Sequence, residues 1–369
     1  MREKTAAIFD SFGGAADMFK RGDRVLIKPN LLLARDRGLH VTTHPEIVFA
    51  AGSILKDIGC ELTIGDSPGF GSAVSVANKC GIAAVAKELG AKLTSFEASA
   101  ELKVNSDNRI FKRFEVARDV LEADKIINLA KLKSHGQMLL TMSVKNMFGA
   151  VVGLLKPQWH FKAGSDADLF ARMLVELNLA ISPTFSILDG VYGMEGNGPS
   201  NGDARELNIL LGGKNCVAID AVAAKLLNVG PKNYFTGRAA INMGLPGAEL
   251  SDIEITGDPI SDFNIENFKL PHIIDADWPI FGFLKKFLKS FFTPAPRYDR
   301  KACRFCMICK DLCPAKAITQ PAPKDLDFNL RKCIRCFCCQ EMCPHGAITV
   351  KPSSGQRVKD IFSFSRRKK

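Results

Sequence analysis

Eight cysteines fall in two runs of identical spacing. In the first, Cys303, Cys306, Cys309 and Cys313 are separated by two, two and three residues, and Pro314 follows at once. In the second, Cys333, Cys336, Cys339 and Cys343 repeat the pattern, and Pro344 follows. A cubane iron–sulfur cluster needs one thiolate per iron, three from a tight loop over one face and a fourth from elsewhere. Structural zinc more usually takes its ligands as two separated pairs, and a disulfide framework belongs to oxidising compartments. The spacing therefore reads as a pair of [4Fe–4S] sites, and the duplication strengthens the reading. Cys338 interrupts the second run as a spare thiol. Cys60, Cys80 and Cys216 lie among apolar residues, as buried small hydrophobes do.

A second set of residues points to an anion. Lys131, Lys133 and His135 alternate, so a strand would turn all three to one side. Lys145 and Asn146 follow shortly after. Lysines among apolar residues are costly to bury without a counter-charge. The choice is between a pocket for a carboxylate or phosphate, with His135 as proton donor, and a solvated strand edge. "GDSPGFGS" (65–72) opens on Gly65, Asp66 and Ser67. Its backbone N–H groups can cradle an anion, or the stretch is a tight turn; it matches neither nucleotide-loop motif. Lys28 and Asn30 close an earlier apolar run. Asp189, Glu195 and Asp220 can offer carboxylates to a cation or proton relay, or belong to a mobile loop and a helix.

The elements that must position these groups alternate. Strands are predicted over 24–33, from 61, over 92–97, over 124–135, from 185 and over 206–213. Helices are predicted over 44–59 (Thr42 or Thr43 near the cap, Pro45 early), over 73–90 and over 216–228. Such alternation predicts an α/β fold, a mostly parallel sheet covered by helices, with ligands beyond the carboxyl ends of strands. Lys28, Asn30, Asp66, Ser67, Lys131, Lys133, His135 and Asp189 all fall near those ends.

The chain of 369 residues carries a net charge of +11, unevenly spread. Residues 281–369 hold 20 Lys and Arg against 6 Asp and Glu, and the remainder 30 against 33. Within 281–292 apolar residues recur at helical spacing opposite Lys285, Lys286 and Lys289. That segment can dock internally, lie on an anionic membrane as a peripheral contact, or bind a partner; "TPAPRYD" (293–299) reads as a stiff linker. The first residues lack the apolar run of a secretory signal, and no apolar run is long enough to span a bilayer, so a cytoplasmic location is expected. The acidic main part, without interleaved aromatics, argues against nucleic acid.

"IKPNLL", "TTHPEIV", "GDSPG", "KLKSHGQMLLTMSVKNMFG", "DGVYGMEGNGP" and "AIDAVAA" together resemble the uncharacterised iron–sulfur-centre proteins of domain-of-unknown-function family 362, over roughly residues 20–260. Residues 298–351 resemble bacterial-type two-cluster ferredoxins, in which the fourth cysteine of each run ligates the other cluster. Carried over by position, Cys303, Cys306 and Cys309 are completed by Cys343, and Cys333, Cys336 and Cys339 by Cys313. The implied organisation is an α/β domain (1–270), an amphipathic helix and linker (271–297), a ferredoxin-like α+β domain (298–352) and a basic tail (353–369). The family implies no agreed reaction. One function is a ferredoxin-type oxidoreductase: electrons pass between the clusters and an anionic substrate at Lys28, Lys131, Lys133, His135 and Lys145, with a flavin or nucleotide optional at the glycine loops. The other is a non-catalytic carrier or adaptor whose α/β part recognises a redox partner protein.

Overall fold

The computed structural model describes residues 1–153, 155–263, 265–271 and 294–351. Short apolar runs ending in polar residues build the central sheet. β1 (Arg24–Pro29), β2 (Glu61–Asp66), β3 (Lys92–Ser95), β6 (Lys125–His135) and β8 (Phe185–Glu195) run parallel to their neighbours in the order β3-β2-β1-β6-β8. β9 (Asp203–Gly213) closes one edge antiparallel to β8, and β7 (Leu139–Thr141) folds back on the end of β6. β4 (Ser99–Lys103) and β5 (Arg113–Ala117) form a separate hairpin. Sequence order reverses direction between β1 and β6, and crevices in open α/β sheets open at such a point.

Helices cover both faces. Ile27, Ile64, Ile127, Phe185 and Ile187 bury one side of the sheet against helices Pro45–Ile58, Ala73–Cys80 and Ile82–Leu89. Helix Ala167–Ile181 and helix Cys216–Leu226 contribute to the clusters on the other side. Sequence reading merged residues 73–90 into one helix; Gly81, with φ of 93°, breaks it in two. The cap of Pro45–Ile58 is His44, not a threonine: its side chain accepts from the Glu46 N–H at 3.3 Å. Thr43 instead ties strands together, accepting from Asn30 N–H at 2.8 Å and donating to the Leu129 carbonyl at 2.7 Å.

The cysteine module folds as two similar halves. β11 (Ile318–Thr319) pairs with β12 (Asp327–Phe328), and β13 (Ile348–Lys351) pairs with β10 (Ala295–Tyr298). The predicted linker over 293–299 is therefore corrected: residues 295–298 are a strand of the cysteine module. The amphipathic segment 281–292 and the tail from 353 lie outside the described residues. Among the described residues no helix is long and apolar enough to cross a membrane.

Candidate functional site

β1, β2 and β6 deliver Asn30, Asp66 and Lys133 to the carboxyl edge of the sheet, and the chain after β7 adds Lys145 and Asn146. These residues, with Ser67, line a cavity of about 350 Å³. Helix Leu155–Ala163 adds Lys156 and His160, which sequence reading missed. The far wall comes from the cysteine module: Leu312, Cys338, Glu341 and Met342. One cavity thus spans the contact between the two parts.

The lysines are buried, which overturns the solvated-edge reading: Lys28 and Lys133 expose 0% and 1%. Lys28 pairs with Asp66 at 2.8 Å, and Asp66 also accepts from Leu31 N–H at 2.8 Å. Gly149 is required beside this pair, because a Cβ there would strike both the carboxylate and the ammonium. Lys133 donates to Asn30 Oδ1 at 2.9 Å and to the Val41 carbonyl at 2.8 Å. Lys156 donates to the Ser67 carbonyl and hydroxyl at 2.6 and 2.7 Å. Burial pushes both Lys133 and Lys156 down to about 7, with Glu341 and Asp66 opposing the shift.

Not every candidate reaches the cavity. Gly65 sits within β2 against Phe96 and Thr94. Lys131 pairs with Asp189 at 2.8 Å, behind a register shift that separates it from Lys133. His135 accepts from the Gln137 and Met138 N–H groups through Nδ1, at 3.1 and 3.2 Å. Burial, reinforced by Lys145, lowers its pKa to about 4, so it is neutral near pH 7 and faces Glu341 at 3.6 Å. Glu195 joins Arg205 and Lys269, and Asp220 accepts from the Ser143 and Val144 N–H groups. These two carboxylates hold structure together and do not form a cation site.

The glycine loop after β8 is a docking loop, not a mobile one. Gln340 in the second cysteine run donates to the Asn197 carbonyl, Asn197 Oδ1 and the Gly198 carbonyl at 2.9, 3.0 and 3.0 Å. Asn201 donates to the carbonyls of Gln340 and Cys343, both at 3.3 Å. Glu341 then projects toward His135. Burial opposes its charge, yet Lys145, His135 and His160 hold it well below the usual carboxylate range.

The cysteine loops suit a polynuclear cationic group. Phe305 and Met307 in one run, and Arg335 and Phe337 in the other, occupy matching positions with left-handed backbone, the kind of loop that turns N–H groups inward. The Phe305 and Ala317 N–H groups point at the sulfurs of Cys303 and Cys313, at 3.4 and 3.3 Å. Burial, then Cys343, Cys306 and Cys303 as neighbours, push the Cys309 thiol up to about 11. Burial likewise raises Cys333, with Cys336 and Cys313 adding to it. Cys313, Cys333, Cys336 and Cys339 line one enclosed space. Among the described residues no three His, Cys, Asp or Glu side chains close on a point for a single ion. Clustered thiols, with Cys309, Cys333 and Cys339 raised by burial and by neighbouring thiols, fit a multi-iron group.

A ferredoxin-like cysteine module docked on the carboxyl edge of an α/β sheet defines an iron–sulfur protein. The chain belongs to the family described as a domain of unknown function (DUF362), which matches residues 25–225, and residues 295–344 match a 4Fe-4S dicluster domain. A thylakoid-associated protein of Synechocystis is 38% identical over 290 residues, covering 77% of this chain and 87% of that one. Among solved structures, the lactate racemase apoprotein of Thermoanaerobacterium thermosaccharolyticum is similar with a TM-score of 0.40 and 10% identity, over 58% of this chain and 51% of the racemase. A Thermotoga maritima protein gives 0.37 and 13%, over 61% of this chain and 58% of that one. The chain thus spans little more than half of either solved structure.

Proposed function

We propose that this is a redox protein in which two [4Fe–4S] clusters serve an anionic ligand held in the cavity. The observation that carries the reading is the shared wall: Lys133, Lys145 and Lys156 face Cys338, Glu341 and Met342 across one space. Cys303, Cys306, Cys309 and Cys343 would hold one cluster, and Cys333, Cys336, Cys339 and Cys313 the other. When bound, the clusters supply single electrons. The chain's own residues supply the rest. Lys145 attracts the anion, and Phe70, Phe148 and Met342 limit water around it. Lys133 and Lys156, near 7, can gain or release a proton at neutral pH. His135, neutral and behind the wall, positions Glu341. The reading calls on no flavin or nucleotide.

The two loops differ in exposure. Cys306 is exposed, and Lys301, Arg304 and Lys310 around it are exposed too. Such a face suits an acidic redox carrier protein as partner. The thylakoid association of the Synechocystis relative and the basic C-terminal part support peripheral contact with an anionic membrane. Loss of vesicle binding on deleting 281–292 is the check.

The test is anaerobic purification with iron and sulfide analysis and mass spectrometry of any co-purifying small molecule. About eight irons per chain are expected, four per cubane. A bound organic anion that is lost in Lys145→Gln, with iron retained, supports the reading. If Lys145→Gln changes neither ligand nor electron transfer to any acceptor, the α/β part is a platform for a carrier.

A further inference from the structure

We propose that the cavity selects an organic carboxylate with an apolar, ring-sized body, in preference to inorganic phosphate or a nucleotide. This deepens the preceding section and rests on its reading of the cavity as a ligand site.

Most of the cations nearby are already engaged. Lys28 belongs to Asp66, Lys131 to Asp189, Lys133 to Asn30 and Val41, and Lys156 to Ser67. Lys145 lines the cavity, and no hydrogen bond or close ion pair engages its ammonium among the described residues. Its charge also steadies Glu341 on the far wall, but its ammonium carries no bonded partner among the described residues and so is the cation left to meet one acid group. A phosphate wants several donors, and the glycine loop does not offer its N–H groups freely. Ser67 N–H goes to the Gly149 carbonyl at 3.2 Å, and Gly69 N–H to the Leu32 carbonyl at 3.1 Å. Gly153 N–H is likewise spent on the Ser67 hydroxyl at 2.9 Å. At Ser67 and Gly69 the loop that resembles a phosphate cradle is closed on its own protein.

The remaining wall is apolar. Leu32, Phe70, Phe148, Pro157, Leu312 and Met342 surround the space. Its volume of about 350 Å³ sits in the range of roughly 300–1,000 Å³ typical of small-molecule pockets. His160 supplies a second polar point on this wall. Its ring stacks on Phe170 with centroids 4.2 Å apart, it is buried, and its Nδ1 has no partner. A carboxylate at Lys145, a polar substituent near His160 and a flat apolar body between Phe70, Phe148 and Met342 together use what the cavity leaves unmatched.

The test uses full-length, anaerobically prepared, iron-loaded protein and calorimetric titration with 2-naphthoate, its neutral amide 2-naphthamide, and inorganic phosphate. Naphthoate is expected to bind at least tenfold tighter than either. Lys145→Gln should remove that advantage and leave naphthamide unaffected. Phe70→Ala, on an exposed loop where folding is not at stake, should weaken acid and amide alike by a few fold. Phosphate binding as well as naphthoate, equal affinity for acid and amide, or indifference to Phe70→Ala would overturn the proposal. Naphthoate binding requires no electron transfer, so its failure leaves iron content and redox activity to be judged separately, and the reverse holds equally.

Discussion

Replacing Gln340 with alanine should uncouple the cysteine module from the sheet. The Gln340 side chain is 1% exposed and its amide donates to three acceptors at 2.9–3.0 Å, all from Asn197 and Gly198. An intramolecular hydrogen bond is worth about 1 kcal/mol net, and each buried acceptor left unpaired costs about 1–3 kcal/mol. Two hydrogens serve three acceptors, and water will reach some of them in the variant, so a loss of roughly 2–4 kcal/mol in docking follows. That is a shift of about 30- to 1,000-fold in the docked-to-undocked ratio, at about 1.4 kcal/mol per factor of ten. Hydrogen exchange reads the effect directly. The amides of 196–202 and of helix Cys338–Glu341 should exchange faster by that factor, while β1, β2 and the core of β6 stay protected and iron content is unchanged. Unchanged exchange at 196–202 would refute the argument that this loop is the seat of the module.

Other perturbations separate the remaining roles. Lys28→Met should destabilise the α/β part by about 3–5 kcal/mol in denaturant titration, because it leaves the Asp66 carboxylate buried without its partner. Affinity for 2-naphthoate should fall as pH rises through about 7, since Lys133 and Lys156 lose their protons there. The groups that face them are Glu341, Asp66, Lys145, Lys131 and Lys28, and a titration from pH 6 to 9 with a flat profile would contradict the buried-lysine argument. Double substitution Arg304→Glu and Lys310→Glu should slow reduction by an acidic ferredoxin at low salt and flatten its salt dependence, because exposed charges act on encounter rate. Stopped-flow rates equal to those of the parent would place the partner elsewhere.

The cysteine loops were legible because ligand spacing is a local, covalent matter. The central strands were legible because strands buried on both faces read as continuous apolar runs ending in polar residues. Lys133 and Lys145 could be singled out by type, but their roles could not. Which lysine is neutralised depends on partners such as Asp66 and Asp189, 38 and 58 residues distant from Lys28 and Lys131. Lys156 and His160 stayed hidden because helix Leu155–Ala163 carries no apolar stripe to orient it. Gly196 to Gly202 looked like a mobile loop because its partner, Gln340, lies about 140 residues further on.

One signal was present and unread: the two cysteine runs differ where their spacing does not. Ile308, Lys310, Asp311 and Leu312 in the first correspond to Cys338, Gln340, Glu341 and Met342 in the second. Lys310 and Asp311 are exposed, whereas Gln340 and Glu341 are buried against the sheet. A duplicated loop that keeps its cysteines must keep whatever they ligate, so its other positions are free to diverge with their surroundings. Charged residues persist on the half that meets water. A neutral amide replaces the lysine, and a shielded carboxylate the exposed one, on the half that meets Asn197, His135 and the cavity. The divergence assigns opposite duties to chemically equivalent loops: one presents an exposed cysteine beside three cations to solvent, and the other closes the ligand space. Exchanging Gln340 for its counterpart, lysine, would put a buried cation in place of a neutral amide among the same carbonyls, so the asymmetry is held in place by the contacts that it creates.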